Sequence, residues 1–239
     1  MDDVINVTIP IFRLKRDARR LARDRGVPLH AALDLVARQA GFAHWSLLAA
    51  DHARQRPAAR VLQQMQAGDL VLLGARPGQG KTLLGLELCG AALAAGRGAA
   101  FFSLEWTAAE VARRFAEVGV DVAQAQALRV DTSDALCADH IIAALGDAPR
   151  GSVAVVDYLQ ILDQDRRLPP LGAQMAALAD FARRSGVIVV LIAQIDRGFA
   201  DEAGPPDWGD VRLPNPVNLD LFDRAVFLQD GAVRVVARK

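Results

Sequence analysis

The sequence is poor in aromatic residues and cysteine, and it has no long apolar run. Aromatics make up 5% of the 239 residues, so the core must be mainly aliphatic. No apolar run approaches the roughly 18 residues that a membrane span requires. Charges begin at Asp2, which leaves no signal-peptide core, so we expect a cytoplasmic location and no membrane contact. Cys89 and Cys137 have no neighbours at metal-ligand spacing and predict buried free thiols.

The net charge is zero, but the two signs are unevenly distributed. Residues 1–60 hold eleven Arg and Lys against six Asp and Glu, and the remaining residues hold seventeen against twenty-two. The N-terminal part is therefore the stronger candidate to contact nucleic acid or an acidic protein. Simple solvation of an arginine-rich surface explains the same pattern equally well.

The first 60 residues predict a small helical unit. One helix runs from Ile11 to Gly26, a second covers about 29–40, and a third is short. Their apolar stripes comprise Leu14, Ala18, Leu21 and Ala22, then Leu29, Leu33, Val36 and Ala40, then Trp45, Leu47 and Leu48. A fourth helical piece over 60–66 leads to the first core strand. We therefore divide the chain at residues 1–60 and 61–239.

From residue 70 onward, candidate strands and helices alternate. This alternation indicates an α/β domain with a mostly parallel sheet and helices on both faces. A loop rich in Gly, Pro and Asp is expected from Asp196 to Asn218, and an Asp230-Gly231 hairpin near the end. The predicted strands are 70–74, 98–104, 127–130, 152–157, 187–193, 225–229 and 233–237, and the helices are 81–95, 107–118, 134–146 and 172–184.

A phosphate-binding loop is predicted between the first core strand and the following helix. Glycines let backbone N–H groups turn toward a phosphate, and the helix adds its positive end. Lys81 can reach the β and γ phosphates, and the Thr82 hydroxyl can hold Mg²⁺. The usual opening glycine is here Ala75. The predicted nucleotide-binding residues are Ala75, Arg76, Pro77, Gly78, Gln79, Gly80, Lys81, Thr82 and Leu83.

Asp157 follows Val153-Ala154-Val155-Val156, which is typical of a central strand buried on both faces. Ligands bind at the carboxyl ends of the strands in open α/β sheets. Asp157 is therefore a candidate for binding Mg²⁺ through water, while Thr82 holds the ion directly. The pairing with an upstream phosphate loop gives this short pattern its weight.

Two further strand ends carry polar side chains. Glu105 follows Phe101-Phe102-Ser103-Leu104 and can polarise an attacking water. A helix-capping role for it is disfavoured, because Thr107 and Glu110 form the better capping box. Gln194 directly follows the predicted strand 187–193 and can sense the γ-phosphate. Gln194 taken alone also fits an ordinary polar residue at a strand end.

The ordered motifs resemble those of the DnaB-type replicative helicases, which belong to the RecA-like ATPases. The resemblance covers residues 68–239. It implies a RecA-like fold, hydrolysis of ATP with Mg²⁺, and a homo-oligomeric ring, usually a hexamer, that acts on single-stranded DNA in replication. By position it implies the phosphate-loop role for Lys81 and Thr82, the Mg²⁺ role for Asp157, catalysis for Glu105 and the phosphate sensor for Gln194. The motifs are Ala75 to Thr82, Phe102 to Glu105, Asp157 to Gln160 and Ala193 to Arg197.

Several features depart from that family. Trp106 replaces the usual methionine, and the basic helical unit stands where the family has its primase-contacting domain. The arginine of the family's last cationic run, which acts on the neighbour's ATP, is missing. Arg238, Arg224 or Arg197 could replace it.

The segment Asp163 to Gly172 corresponds to the family's DNA-facing loop. With Arg166 and Arg167 it is only modestly basic, which predicts weak to moderate, salt-sensitive binding of DNA. Two functions stay open at this point. One is a DNA-dependent motor, and the other is an ATP-dependent switch that recruits a protein partner through residues 1–60 without unwinding DNA.

Overall fold

The computed structural model describes residues 4–5, 11–55, 57–118, 126–157, 159, 162, 168–195, 206–211, 217–229 and 232–238. The strands are β1 (Val4–Ile5), β2 (Leu70–Ala75), β3 (Ala99–Ser103), β4 (Arg129–Asp131), β5 (Val153–Asp157), β6 (Ile188–Gln194), β7 (Arg224–Gln229) and β8 (Ala232–Ala237). The helices are α1 (Ile11–Arg25), α2 (Leu29–Gln39), α3 (Trp45–Gln55), α4 (Pro57–Gln63), α5 (Lys81–Ala94), α6 (Ala108–Glu117), α7 (Ala138–Ala144) and α8 (Leu171–Ser185).

The strands form one sheet in the order β1-β8-β7-β2-β6-β5-β3-β4. The six strands from β7 to β4 run parallel, and β8 and β1 are antiparallel at one edge. Right-handed crossovers through helices are the usual way to join parallel strands, and they cover both faces of a sheet. The predicted mostly parallel α/β architecture is confirmed.

Alternating residues of the central strands supply two separate cores. Leu70 and Leu72 of β2 face the layer that contains α7 and α8, whereas Val71 and Leu73 face the layer that contains α4, α5 and α6. All four are fully buried. A strand with both faces covered is a continuous apolar run, which explains why β2 could be predicted from its sequence.

Most element bounds agree with the sequence prediction, but α7 begins four residues later than predicted. Asp131 accepts a hydrogen bond from the Ser133 N–H (3.0 Å), and the Ser133 hydroxyl accepts one from the Ala135 N–H (3.2 Å). These short side chains compete for the backbone and favour turns over helix. β1 was also missed, since two residues are too short for a recognisable pattern.

Helices α1, α2 and α3 form the predicted helical unit around a small core. Its stripe on α2 differs from the prediction, because Leu29 is 45% exposed and Ala40 is exposed, while Ala32 and Ala37 are fully buried. Leu47 of α3 is also exposed. Three short helices bury only their facing stripes, so the alanines meet at the contact. The buried set is Leu14, Ala18, Ala32, Val36, Ala37 and Leu48.

Contacts join the two sides of the predicted boundary at residue 60, and helix α4 spans it. Strand β1 pairs with β8 at the edge of the sheet, and α4 starts at Pro57 and packs against α5. The Lys15 ammonium of α1 also donates a hydrogen bond to the Glu117 carbonyl at the end of α6 (3.3 Å). Among the described residues, no helix is long and apolar enough to cross a membrane.

Candidate nucleotide-binding site

The loop between β2 and α5 has the backbone shape that phosphate binding requires. Gly78 and Gly80 have positive φ angles of 78° and 91°, a region that side-chain-bearing residues rarely adopt. Gly80 is the N-cap of α5 and supplies no capping side chain, so the first N–H groups of the helix are left for an anionic ligand. A Cβ added at Gly78 would meet nothing within 4 Å, so backbone conformation rather than space requires this glycine.

Asp157 lies at the carboxyl end of β5 and is almost fully buried. Neither carboxylate oxygen has a hydrogen-bond partner among the described residues. Burial raises the pKa of Asp157 to about 6; the Thr82 side chain lowers that pKa, the Glu105 charge raises it and the Lys81 ammonium lowers it. Thr82 is thus close to the carboxylate without meeting hydrogen-bond geometry. The structure brings these four predicted site residues into one electrostatic neighbourhood.

The donor set fits a magnesium ion. A buried carboxylate without a partner is costly unless a ligand compensates it, and the Thr82 hydroxyl is an oxygen ligand beside it. Among the described residues there is no group of three or more potential metal-binding side chains. Mg²⁺ commonly takes one or two protein ligands and completes its shell with water and phosphate oxygens. Asp157 and Thr82 would hold the ion, which would neutralise charge on the phosphates.

Glu105 is exposed just beyond the end of β3, on the same edge of the sheet. The register pairs Ser103 with Asp157, which sets Glu105 two residues past the level of that aspartate. Its backbone N–H donates to the Ser103 hydroxyl (3.2 Å), and Ser103 itself is fully buried. The predicted capping box of Thr107 and Glu110 forms, so the Glu105 carboxylate is not used as a cap.

Gln194 ends β6 in register with Ala75, the first residue of the predicted loop. Its position beside β2 places it at the edge where the phosphate loop starts. The side chain is half-buried. The predicted site residues on β2, α5, β3, β5 and β6 therefore meet at the carboxyl edge of the sheet.

Known proteins resemble this chain in sequence and in fold. Residues 58–149 match the model of the DnaB-like helicase C-terminal domain. The Replicative DNA helicase DnaB of Helicobacter pylori (strain J99 / ATCC 700824) is 25% identical over 199 residues, which span 70% of this chain and 41% of that protein. The chain is thus similar in sequence to DnaB-type helicases. It spans less than half the length of that curated relative.

Two solved structures share the fold. One is an ATPase domain, which superposes with a TM-score of 0.59 at 15% identity, over 72% of this chain and 75% of that one. The other is a DnaB-like replicative helicase, solved to study its interactions with primase, which gives a TM-score of 0.56 at 16% identity, over 67% and 47%. The RecA-like fold predicted from the DnaB-type motifs is confirmed.

Two of the three candidate arginines, Arg224 and Arg238, make ion pairs within the chain. Arg224 forms a 2.6 Å ion pair with Asp69, at the amino end of β7 and away from the phosphate loop. The Arg238 guanidinium lies 4.8 Å from the ring centre of Trp208 and pairs with Asp220. Neither contact could be predicted from the sequence motifs. Arg197 lies outside the described residues, as do Arg166, Arg167, Tyr158 and Gln160.

The sequence also gave no role to Trp106 or Arg114. Trp106 packs against the core beneath α5 and α6, and the Arg114 guanidinium lies 5.1 Å from its ring centre. This contact joins the residue after Glu105 to α6. The cysteine prediction was half right, because Cys89 is buried but Cys137 is partly exposed as the N-cap of α7.

Proposed function

We propose that this chain is an ATPase that hydrolyses ATP with Mg²⁺ and acts on single-stranded DNA as an oligomer, as a helicase-like motor. The observation that carries the proposal is the buried Asp157 carboxylate without a partner among the described residues, next to Thr82 and Lys81 of the phosphate loop. A buried group of this kind is uncommon outside functional sites. The relationship to the DnaB-type helicases supports the choice of substrate.

Each candidate site residue has a separate role in the proposed reaction. Backbone N–H groups of the loop and of the start of α5 bind the phosphates, and Lys81 neutralises their charge. The exposed Glu105 carboxylate accepts a proton from the attacking water and orients it. Gln194, at the end of β6, reports the presence of the γ-phosphate to the chain that follows.

A basic face of α1 supports nucleic-acid contact. Arg16, Arg19, Arg20 and Arg23 are all exposed along this helix. Contacts from arginine to phosphate give affinity that falls with salt and carries little sequence preference. We therefore propose weak to moderate, salt-sensitive binding of single-stranded DNA.

The testing experiment is ATP turnover by the parent and by Lys81→Ala, with and without single-stranded DNA, at low and moderate salt. Lys15→Ala, a lysine outside the loop, is the matched control. We expect Lys81→Ala to lose turnover by at least ~100-fold, Lys15→Ala to retain it, and DNA to raise parent turnover most at low salt. Equal turnover in the parent and Lys81→Ala would refute the ATPase proposal.

A second candidate function is an ATP-dependent switch that recruits a protein through residues 1–60. The contacts of Arg224 and Arg238 favour it, because arginines paired within the chain must first leave these partners to reach a neighbour's nucleotide. The measurement that separates it from the motor is oligomeric state in ATP, in ADP and without nucleotide, by light scattering. An oligomer that ignores nucleotide argues against the switch, and turnover that DNA does not change argues against the motor.

A further inference from the structure

Gln174 is a buried amide in the first turn of α8, with only 2% of its surface exposed. Its side-chain oxygen accepts a hydrogen bond from the Ala138 N–H (3.0 Å). Its side-chain nitrogen donates to the Leu162 carbonyl (2.6 Å) and to the Pro169 carbonyl (2.8 Å). One side chain thus makes three hydrogen bonds to three separate pieces of backbone.

The three backbone partners of Gln174 lie in the chain between β5 and α8 and at the start of α7. Leu162 lies five residues beyond Asp157, and Pro169 lies just before the start of α8. Both belong to the chain that returns from β5 to α8. Leu159 and Leu162 are fully buried on the same side of the sheet, so Leu162 is held by its own side chain as well as by Gln174. Ala138 is the first residue of α7, which follows β4.

The chemistry of the contact is specific to an amide. A neutral group that accepts one hydrogen bond and donates two is found only in Asn and Gln, and Asn is shorter by one methylene. An ionised glutamate would set its oxygens against two carbonyl oxygens. An apolar replacement would leave a buried N–H and two carbonyl groups without their partner.

We propose that Gln174 is a positioning residue, which holds Leu162 and Pro169 together and ties both to the start of α7. Because Leu162 follows Asp157 by only five residues, Gln174 fixes a point of the chain between the nucleotide site and the stretch 163–172. The consequence for DNA rests on the proposed function and on the expectation, from the resemblance to the DnaB-type helicases, that this stretch faces single-stranded DNA. Gln174 itself touches neither nucleotide nor DNA in this proposal.

The test compares the parent with Gln174→Met, which has similar length and no hydrogen-bonding capacity. Ser185→Ala is the control, because it removes two hydrogen bonds at the opposite end of the same helix, to the Phe181 carbonyl and from the Val187 N–H. Ala138→Pro is a second variant. It removes the N–H that donates to Gln174 and adds a ring at a buried site, which is the first helical position, where proline suits the backbone.

The first readout is amide hydrogen exchange, which needs no DNA. We expect Gln174→Met to speed exchange about tenfold at Ala138 and at the amides of residues 168 and 171–173, and we expect the control to leave these amides unchanged. Ala138→Pro should speed exchange at residues 168 and 171–173 less than Gln174→Met does. Unchanged exchange in a folded Gln174→Met protein overturns the proposal.

The second readout is the concentration of single-stranded DNA that gives half-maximal stimulation of ATP turnover. We expect it to rise about tenfold in Gln174→Met and less than about twofold in Ser185→Ala. A rise of equal size in both variants would mean that Gln174 acts only through stability, which overturns its positioning role. A parent protein that DNA does not stimulate refutes the DNA part of the proposed function, and the exchange result then decides the role of Gln174 by itself.

Discussion

Replacing Asp157 by asparagine should stabilise the protein when neither nucleotide nor metal is bound. Burial raises the pKa of this carboxyl to about 6 from its ordinary value of 3.8. Between these two values the folded protein keeps a proton that the unfolded chain has released. The stability of the folded protein therefore falls as the pH rises through this window, and the full cost is present above pH 6.

The size of this effect follows from the shift in pKa. A shift of about two units corresponds to about 3 kcal/mol of unfolding free energy at pH 7 and above. For a chain of this length, 1 kcal/mol changes the melting temperature by about 2–4 °C. The introduced asparagine carries no charge to desolvate, so the substitution should raise the melting temperature by up to ~10 °C at about pH 7.5. The difference should shrink to about 0.5 kcal/mol at about pH 4, where the Asp157 carboxyl is protonated in the folded state and about 40% protonated in the unfolded chain, and it should vanish below about pH 3.

The assay is thermal unfolding of the parent and Asp157→Asn from about pH 4 to pH 8, in the presence of a chelator. Asp147→Asn, on an exposed turn, serves as the control and should change little. Added Mg²⁺ and ATP should raise the melting temperature of the parent more than that of Asp157→Asn, which reverses the order of the two. A variant that is less stable than the parent at neutral pH, or a difference that does not depend on pH, would refute this reasoning.

Three further predictions concern catalysis, packing and a second carboxyl. Glu105→Gln should bind ATP as the parent does, yet turn it over at least ~100-fold more slowly; undiminished turnover would remove Glu105 from the mechanism. Gly74→Ala should lower the free energy of unfolding by about 1–3 kcal/mol, because the new Cβ would lie 3.0 Å from the Phe227 ring. Urea titration measures both this change and the control Gly146→Ala, whose new Cβ makes only ordinary contacts and should leave the free energy of unfolding unchanged. Burial raises the pKa of Glu87 to about 7, so Glu87→Gln should stabilise the protein more at about pH 8.5 than at about pH 5.5, and equal gains would contradict that.

The central strands and the phosphate loop were predictable because each rests on a local pattern. Val153 to Val156 form an uninterrupted apolar run, which is what a strand covered on both faces requires. Gly78 and Gly80 have positive φ angles, and glycine is the residue type that adopts such angles most readily, so these positions could be predicted from the sequence. The position of Asp157 at the carboxyl end of β5 was predictable because it directly follows that apolar run.

Other features could not be predicted from the sequence, because they depend on residues far apart in the chain. The contacts of Gln174 reach back 36 residues to Ala138, and nothing around Gln174 distinguishes it from an exposed glutamine. The pair of Arg224 with Asp69 joins residues 155 positions apart. The short strand β1 is stabilised by its pairing with β8, so it has no pattern of its own.

The contacts of Arg238 bear on which of the two proposed functions the chain performs. To act on a neighbour's phosphate, Arg238 would have to leave both the Trp208 ring and the Asp220 carboxylate. Trp208 packs against Phe222 and Phe227, so the release of Arg238 would remove the guanidinium from the surface of this aromatic cluster. Cation–π and ion-pair contacts of partly exposed groups each contribute about 0.5–1 kcal/mol, so the displacement costs roughly 1–2 kcal/mol. A neighbouring triphosphate, with several negative charges, can offset a cost of that size, whereas a diphosphate offers less. The position of Arg238 therefore links the motor and switch proposals, because the same release would depend on nucleotide state and on contact between subunits.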